Sequence, residues 1–194
     1  MKAVMIFGDK NKFGVELSID CYCISDGLMA VGKLLIYING RKYGVDEPDA
    51  TYLACSYNVI KEIVANRRRH CVPYVEDMSS SDIVSCFVWS VYAIPYGRND
   101  WGGDFLKRLD DDLYKIGCVW APDGDRAFDD GSHVLIFDVG EMVRLVAFVN
   151  SDDEAVISSS LEELVIDADE FYGVLRGWVT GFNDAYQSNR HLAV

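Results

Sequence analysis

Histidines, the side chains most often used in acid–base catalysis, are few in this sequence. It contains three histidines, His70, His133 and His191, among 194 residues. None of them accompanies a Gly-x-Ser-x-Gly elbow, and the sequence has no glycine-rich phosphate loop or dinucleotide fingerprint. Neighbouring carboxylates such as Asp129 and Asp130 point apart in an extended chain, whereas general acid–base catalysis needs side chains that converge. We therefore predict that the chain is not an enzyme and has no catalytic residue.

One run of acidic residues begins like a calcium-binding loop. Asp123, Gly124 and Asp125 fit its opening, but Ala127 and Phe128 stand at the fifth and sixth positions, where a ligand and a glycine are expected. A solvated acidic loop is the better interpretation, and we predict no metal site there.

The six cysteines are scattered along the chain. Cys21 and Cys23 are two residues apart, but no second pair follows at the spacing of a zinc site. Cys55, Cys86 and Cys118 lie within apolar runs, which is typical of buried free thiols in a reducing compartment. We predict neither disulfides nor a cofactor.

The spacing of apolar residues predicts the elements that position these side chains. Alternation and short apolar runs indicate strands at 3–7, 13–21, 29–38, 41–45, 134–137, 142–149, 155–157 and 164–166. Helical spacing indicates four helices: one after a cap at Asp49 or Thr51, one capped within Ser79-Ser80-Ser81, one over 105–116, and one capped by Asp167. The prediction is an α/β fold of the α+β type. It consists of a single domain, 1–194, with a largely antiparallel sheet of about six or seven strands and packed helices.

Three glycines recur every four residues in the last predicted helix, at Gly173, Gly177 and Gly181. Each weakens a helix by about 1 kcal/mol relative to alanine. Their spacing therefore predicts a close approach of the helix to the sheet or to another helix.

The acidic side chains are concentrated in one region, residues 99–170. It holds 19 acidic and five basic side chains, and it accounts for the formal net charge of −13. Such a field repels nucleic acid and anionic membranes and attracts cationic protein surfaces. No stretch has the length of a membrane span, so we expect a cytoplasmic protein whose partner is another protein.

Aromatic residues are interleaved with these acids, as at Trp101, Phe105 and Tyr114. An acidic rim with aromatic anchors is typical of a tight interface with a basic protein. The predicted partner-binding residues are Asp100, Trp101, Asp104, Asp110, Asp111, Asp112, Asp123, Asp125, Asp129, Asp130, Asp152, Asp153 and Glu154.

Motifs in the first 70 residues and near the end share the pattern of a known family. They are Met5-Ile6-Phe7-Gly8-Asp9, Phe13, Glu16, Asp20, Gly32-Lys33, Tyr37-Ile38, Asn39-Gly40, Gly44, the run Arg67, Arg68 and Arg69, and the helix start within 162–175. On these motifs the chain resembles the bacterial immunity proteins of polymorphic-toxin and contact-dependent growth-inhibition systems, and among them immunity protein family forty-two. Residues 71–130 contain no motif that we match to the family.

The resemblance implies a small α/β protein that binds and blocks a cognate toxin domain, without catalytic residues. Together with the charge, it leads us to expect that the toxin is a basic nuclease whose active site is occluded through the acidic surface. One alternative is an acidic, non-catalytic scaffold or adaptor. Another is an enzyme of unknown type, which requires a deep pocket with converging polar groups such as Cys118 or His133.

Overall fold

The computed structural model describes residues 3–22, 30–93, 96–97, 100–121 and 125–189. These residues form eight strands and five α-helices. The strands are antiparallel, which confirms the predicted α+β class. They are divided between a five-stranded and a three-stranded sheet rather than joined in one.

The first sheet is built from the N-terminal third of the chain. Its strands are β1 (Ala3–Gly8), β2 (Phe13–Tyr22), β3 (Ala30–Ile38), β4 (Arg41–Tyr43) and β5 (Thr51–Tyr52). The order is β1-β2-β3-β4, and β5 also pairs with β3. Strands β3 and β4 form a hairpin: Asn39 and Gly40 both take positive φ, at 51° and 83°, as a two-residue turn of this kind requires.

Two polar side chains of β2 are buried, whereas alternation of apolar and polar residues is typical of a strand with one face open to solvent. Glu16 is only 7% exposed and Ser18 is fully buried. Lys10 and Tyr37 both donate to the Glu16 carboxylate, at 2.6 and 3.0 Å, and cover it.

The second sheet lies at the centre of the molecule. Its strands are β6 (Ser132–Val139), β7 (Met142–Val149) and β8 (Glu162–Asp167). Ser132 pairs with Val149 and Met142 with Asp167. Both of its faces are apolar because both are covered. Val134 and Ile136 pack in the same core cluster as the first sheet, whereas Leu135 and Phe137 belong to a second cluster on the other face.

Helices cover both sides of this arrangement. They are α1 (Leu53–Ala65), α2 (Ser80–Tyr92), α3 (Gly103–Ile116), α4 (Glu154–Ser160) and α5 (Ala168–Asn189). Helices α1 and α5 pack with the first sheet, and α2, α3 and α4 pack against the outer face of the second. None of the helices in the described ranges combines the length with the apolar character of a transmembrane segment.

Three helix starts test the predicted caps. Ser79 accepts the Asp82 N–H at 3.1 Å and Asp167 accepts the Glu170 N–H at 3.1 Å, so both caps are confirmed. The predicted cap of α1 is wrong, because Thr51 belongs to β5 and Tyr52 precedes the helix.

The predicted strand at 155–157 is also wrong. That segment lies in α4, which begins because Asp153 accepts the Ala155 N–H at 2.9 Å.

The glycines of α5 make the predicted close approach at two of the three positions. A Cβ added to Gly181 would lie 2.4 Å from the ring of Phe7 on β1, and one added to Gly177 would lie 3.3 Å from it. At Gly173 a Cβ would meet nothing within 4 Å. The helix therefore rests on the Phe7 ring through its C-terminal half.

Candidate functional site

The predicted acidic residues of α3 do not form a uniform acidic face. Asp104 and Asp111 are exposed, whereas Asp110 is half-buried. Burial, with the neighbouring Asp111 charge, raises the pKa of Asp110. Asp112 accepts the hydroxyl of Tyr74 at 2.8 Å.

Basic residues on the same helix offset these charges. Arg108 pairs with Asp112 at 3.7 Å, and Lys107 and Lys115 are exposed on α3. The helix thus carries four acidic and three basic side chains. Its contribution to an acidic field is small, because charges of opposite sign interspersed on one surface largely cancel at a distance.

The aromatic anchor predicted before α3 is held by packing. Trp101 is half-buried and stacks on Phe105, with ring centroids 5.3 Å apart. Phe105 in turn makes an edge contact with Tyr74 at 5.8 Å. Asp100, beside it, is exposed.

A second group of predicted residues surrounds a 3₁₀ turn at Arg126–Phe128. Asp125 begins the turn by accepting the Ala127 N–H at 2.9 Å. Burial, together with the charge of Asp129, raises the pKa of Asp125 in spite of this hydrogen bond. Asp129 and Asp130 are exposed. Asp123 lies outside the described residues.

The loop between β4 and β5 brings further carboxylates to this turn. The Val45 N–H donates to the Ala127 carbonyl at 2.8 Å. Glu47 and Asp49 consequently line one open groove with Asp129, Asp130 and Arg126, of about 580 Å³. Both Glu47 and Asp49 are exposed.

The third predicted group, at residues 152–154, lies at the same end of the second sheet. The Asn150 N–H donates to the Gly131 carbonyl at 2.8 Å, which places the turn after β7 beside the turn before β6. Asp152 and Asp153 are exposed. Glu154 accepts the Gly97 N–H at 3.3 Å.

We call this surface the acidic edge and define it by its six exposed carboxylates. They are Glu47, Asp49, Asp129, Asp130, Asp152 and Asp153. Among the described residues that line its groove, Arg126 is the one cation. A surface of this charge favours contact with lysine and arginine side chains of a partner.

Sequence reasoning missed Glu47 and Asp49, because residues 1–98 sum to zero charge. Several cations of that half pair with carboxylates outside this surface: Lys12 with Glu170, Arg67 with Asp169 at 2.7 Å, and Lys33 with Asp46. The acidic residues on both sides of Pro48 could have indicated this part of the surface. The zero net charge of residues 1–98 concealed them.

Asp46 is an exposed acidic side chain that adds little to the negative electrostatic field, because cations pair with it. It accepts hydrogen bonds from Lys33 and from Lys42, the latter at 2.7 Å. These two ammonium groups lower the pKa of Asp46 to about 2. Asp46 is thus matched by two cations and is not counted in the acidic edge.

The structure also contains a buried polar cluster that the sequence did not reveal. Asp138 on β6 accepts from the Tyr172 hydroxyl at 2.9 Å and lies 3.0 Å from His70 Nδ1. Burial alone would raise the pKa of Asp138, but its hydrogen bonds to His70 and Tyr172 outweigh that effect and lower it. Burial raises the pKa of the Tyr172 phenol, so it stays a hydrogen-bond donor.

Cys118 and His133, which the enzyme alternative requires in a pocket, are both buried in the core. Burial raises the pKa of the Cys118 thiol to about 12, so it is not a nucleophile at neutral pH. His133 lies 2.9 Å from the Tyr92 hydroxyl through Nε2, and 3.0 Å from the Ala121 carbonyl through Nδ1. Both of its ring nitrogens are therefore engaged within the fold.

The cysteines differ in part from expectation. Cys86 and Cys118 are buried, as their apolar surroundings in the sequence predicted, and neither forms a disulfide, but Cys55 is exposed on α1. Cys21 and Cys71 are exposed and free as well. Within the described part of the chain, no three His, Cys, Asp or Glu side chains form a group that could hold a metal ion.

Comparison with known proteins gives two matches. The sequence profile of the family described as immunity protein 42 matches residues 5–181, including the stretch 71–130 in which we identified no motif. The crystal structure of CdiI from Burkholderia dolosa is similar in fold, with a TM-score of 0.56 and 14% sequence identity over 91% of this chain and 99% of that chain. A search of curated proteins gives no match. As the resemblance of its motifs predicted, the chain belongs to the immunity protein 42 family.

Proposed function

We propose that this protein binds the toxic domain of a cognate secreted effector in the cytoplasm and blocks it without catalysis. Membership of an immunity protein family supports this function. The resemblance in fold to CdiI agrees with it. The partner is the toxin domain itself, and neither nucleic acid nor a membrane is required.

The acidic edge is the part of the surface that binds the toxin in this proposal. Its exposed carboxylates come from three separate turns. Four of them, Glu47, Asp49, Asp129 and Asp130, line a groove whose described lining contains one cation, Arg126. A nuclease binds phosphates with lysine and arginine, so its active-site surface has the complementary charge. Contact through the edge therefore covers the active site of a basic nuclease and excludes its substrate.

Helix α3 has a secondary role in this interface. Asp104 and Asp111 add to the field, and Trp101 supplies an aromatic contact beside Asp100. Since Lys107 and Arg108 offset the helix charge, the main attraction comes from the edge.

The experiment is co-expression with the protein encoded directly upstream, the expected position of the toxin gene. We expect that protein to arrest growth alone, and this chain to restore growth and co-purify with it. Replacing Asp129 and Asp130 by lysine should weaken rescue, whereas the same change at the exposed Asp104 and Asp111 should leave most of it. Growth arrest that this chain does not relieve, with no complex recovered, would overturn the proposal for that pair.

A further inference from the structure

Strand β1 lies at one end of the first sheet, and apolar side chains on it are open to solvent. It pairs with β2 in an antiparallel register that is uninterrupted over Ala3–Gly8. Val4 and Ile6 are 52% and 50% exposed. Because side chains alternate along a strand and Phe7 contacts α5, Val4 and Ile6 lie on the face of the sheet that is remote from α5.

The main-chain groups of these two residues point outward from the sheet. The Asp9 N–H donates to the Phe13 carbonyl at 2.8 Å, and the main-chain groups of successive residues in a strand point to opposite sides. The odd-numbered residues of β1 therefore face β2, whereas the N–H and C=O groups of Val4 and Ile6 face away from it. Within the part of the chain that the structure describes, no other strand lies on that side of β1.

The edge of β1 has none of the features that keep sheet edges from associating. It contains no charged residue, no proline and no bulge, which are the usual means of preventing edge-to-edge pairing. The edge strand β8 differs, because three of its six residues are acidic and the side-chain amide of Asn39 donates to the Glu163 carbonyl at 3.0 Å. The edge of β1 is therefore available to a further strand.

Apolar surface continues around β1 onto the face that carries α5. Met5 and Phe7 pack against the core but are only partly buried. The residues of α5 nearest to the Phe7 ring are Gly177 and Gly181, and neither adds a side chain over it. A strand paired with β1 would consequently bury apolar atoms on both faces of the sheet.

We propose that β1 pairs with β1 of a second copy of this chain, antiparallel about a two-fold axis, so that the two five-stranded sheets join. An edge of this kind is complementary to itself. The outward N–H and C=O groups of Val4 and Ile6 in one copy meet those of the other copy. The exposed side chains of both copies then form one apolar cluster, and the two α5 helices flank the joined strands on the opposite face.

The distribution of charge favours a second copy as the occupant. Each copy has a formal net charge of −13, so two copies repel each other unless their contact is neutral. Residues 3–8 are uncharged, and β1 is at the other end of the strand order from β4, which precedes the loop of Glu47 and Asp49. Pairing through β1 thus keeps the two acidic edges apart. The dimer does not depend on the function proposed above.

Sedimentation velocity of the full chain over a range of concentrations measures the dimer. We expect the wild type to dimerise reversibly, and Ile6→Lys to raise the dissociation constant roughly tenfold or more, because its ammonium group is buried against the partner strand. Val165→Lys is the matched control, since Val165 is 51% exposed on the edge strand β8 and the change in charge is the same. A wild type that stays monomeric, or equal weakening by both substitutions, would overturn the proposal.

Amide hydrogen exchange tests the pairing of the strands themselves. The Val4 N–H should exchange slowly in the wild-type dimer and rapidly in Ile6→Lys, whereas the Met5 and Phe7 N–H groups, which face β2, should stay protected in both and show that β1 remains folded. Rapid exchange of Val4 in a wild-type dimer would exclude pairing through β1. Protection of Val4 in a monomer would exclude the second copy: it assigns the edge to the toxin domain if it requires that domain, and to another segment of this chain if it does not.

Discussion

At the scale of single residues, the best-defined polar arrangement is the buried cluster of His70, Asp138 and Tyr172. These residues come from the segment after α1, from β6 and from α5, and only the tertiary fold brings them together. No spacing rule connects them, so the sequence could not predict the cluster. The exposed acids are different, because their positions in turns follow from local polarity, and most of them were predicted.

Removing the charge of Asp138 should destabilise the fold. In Asp138→Asn, we expect the free energy of unfolding at pH 7 to fall by about 3 kcal/mol, because a buried network loses its anion. Urea unfolding measures the change. The exposed Asp111→Asn is the control, and we expect it to differ from wild type by less than about 0.5 kcal/mol.

The stability that Asp138 contributes to the fold changes with pH in a direction that follows from its pKa. The pKa of Asp138 is lower in the folded protein than its unfolded value of about 3.9. The stabilisation from Asp138 is therefore complete above about pH 4 and is lost as the pH falls through the folded value. The difference in stability between wild type and Asp138→Asn should narrow in that acidic range, and a difference that widens there would contradict the assignment.

At the scale of elements, apolar periodicity predicted the strands and helices that have strong patterns. It failed at α4, because the three-residue run at 155–157 is too short to distinguish a strand from a helix. The hydrogen bond from the Ala155 N–H to Asp153 caps a helix at this segment. The glycine spacing in α5 was more informative, and the ring of Phe7 explains it at Gly177 and Gly181.

Alanine substitutions at two α5 glycines should have opposite effects. Gly181→Ala should lower stability by about 1–3 kcal/mol, because its Cβ meets the Phe7 ring and overpacks the contact. Gly173→Ala should raise stability by about 1 kcal/mol, because the position is exposed and open. Thermal unfolding of both variants measures the two shifts, and shifts of the same sign would show that packing on Phe7 is not the cause.

The cap of α4 gives a second prediction at this scale. Asp153→Ala should cost about 1 kcal/mol, because the Ala155 N–H loses its acceptor. Asp152→Ala removes the same charge next to it without removing this hydrogen bond, and serves as the control. Chemical denaturation distinguishes the two variants, and equal losses would indicate an effect of charge alone.

At the scale of the whole molecule, the location of the negative charge was predicted only in part. The sequence located the excess in residues 99–170, and Asp129, Asp130, Asp152 and Asp153 do lie on the acidic edge. It could not add Glu47 and Asp49, which the tertiary fold brings into one groove with Asp129 and Asp130. Their place there depends on which turns meet at one end of the second sheet.

The rate of association with the toxin domain, measured over a range of salt concentrations, tests the central claim most directly. We predict that Asp129→Lys with Asp130→Lys slows association at low salt by roughly tenfold or more, and that added salt reduces the difference. The same change at Asp104 and Asp111 on α3 should slow it less. Association rates that match wild type in both variants at every salt concentration would contradict binding through the acidic edge.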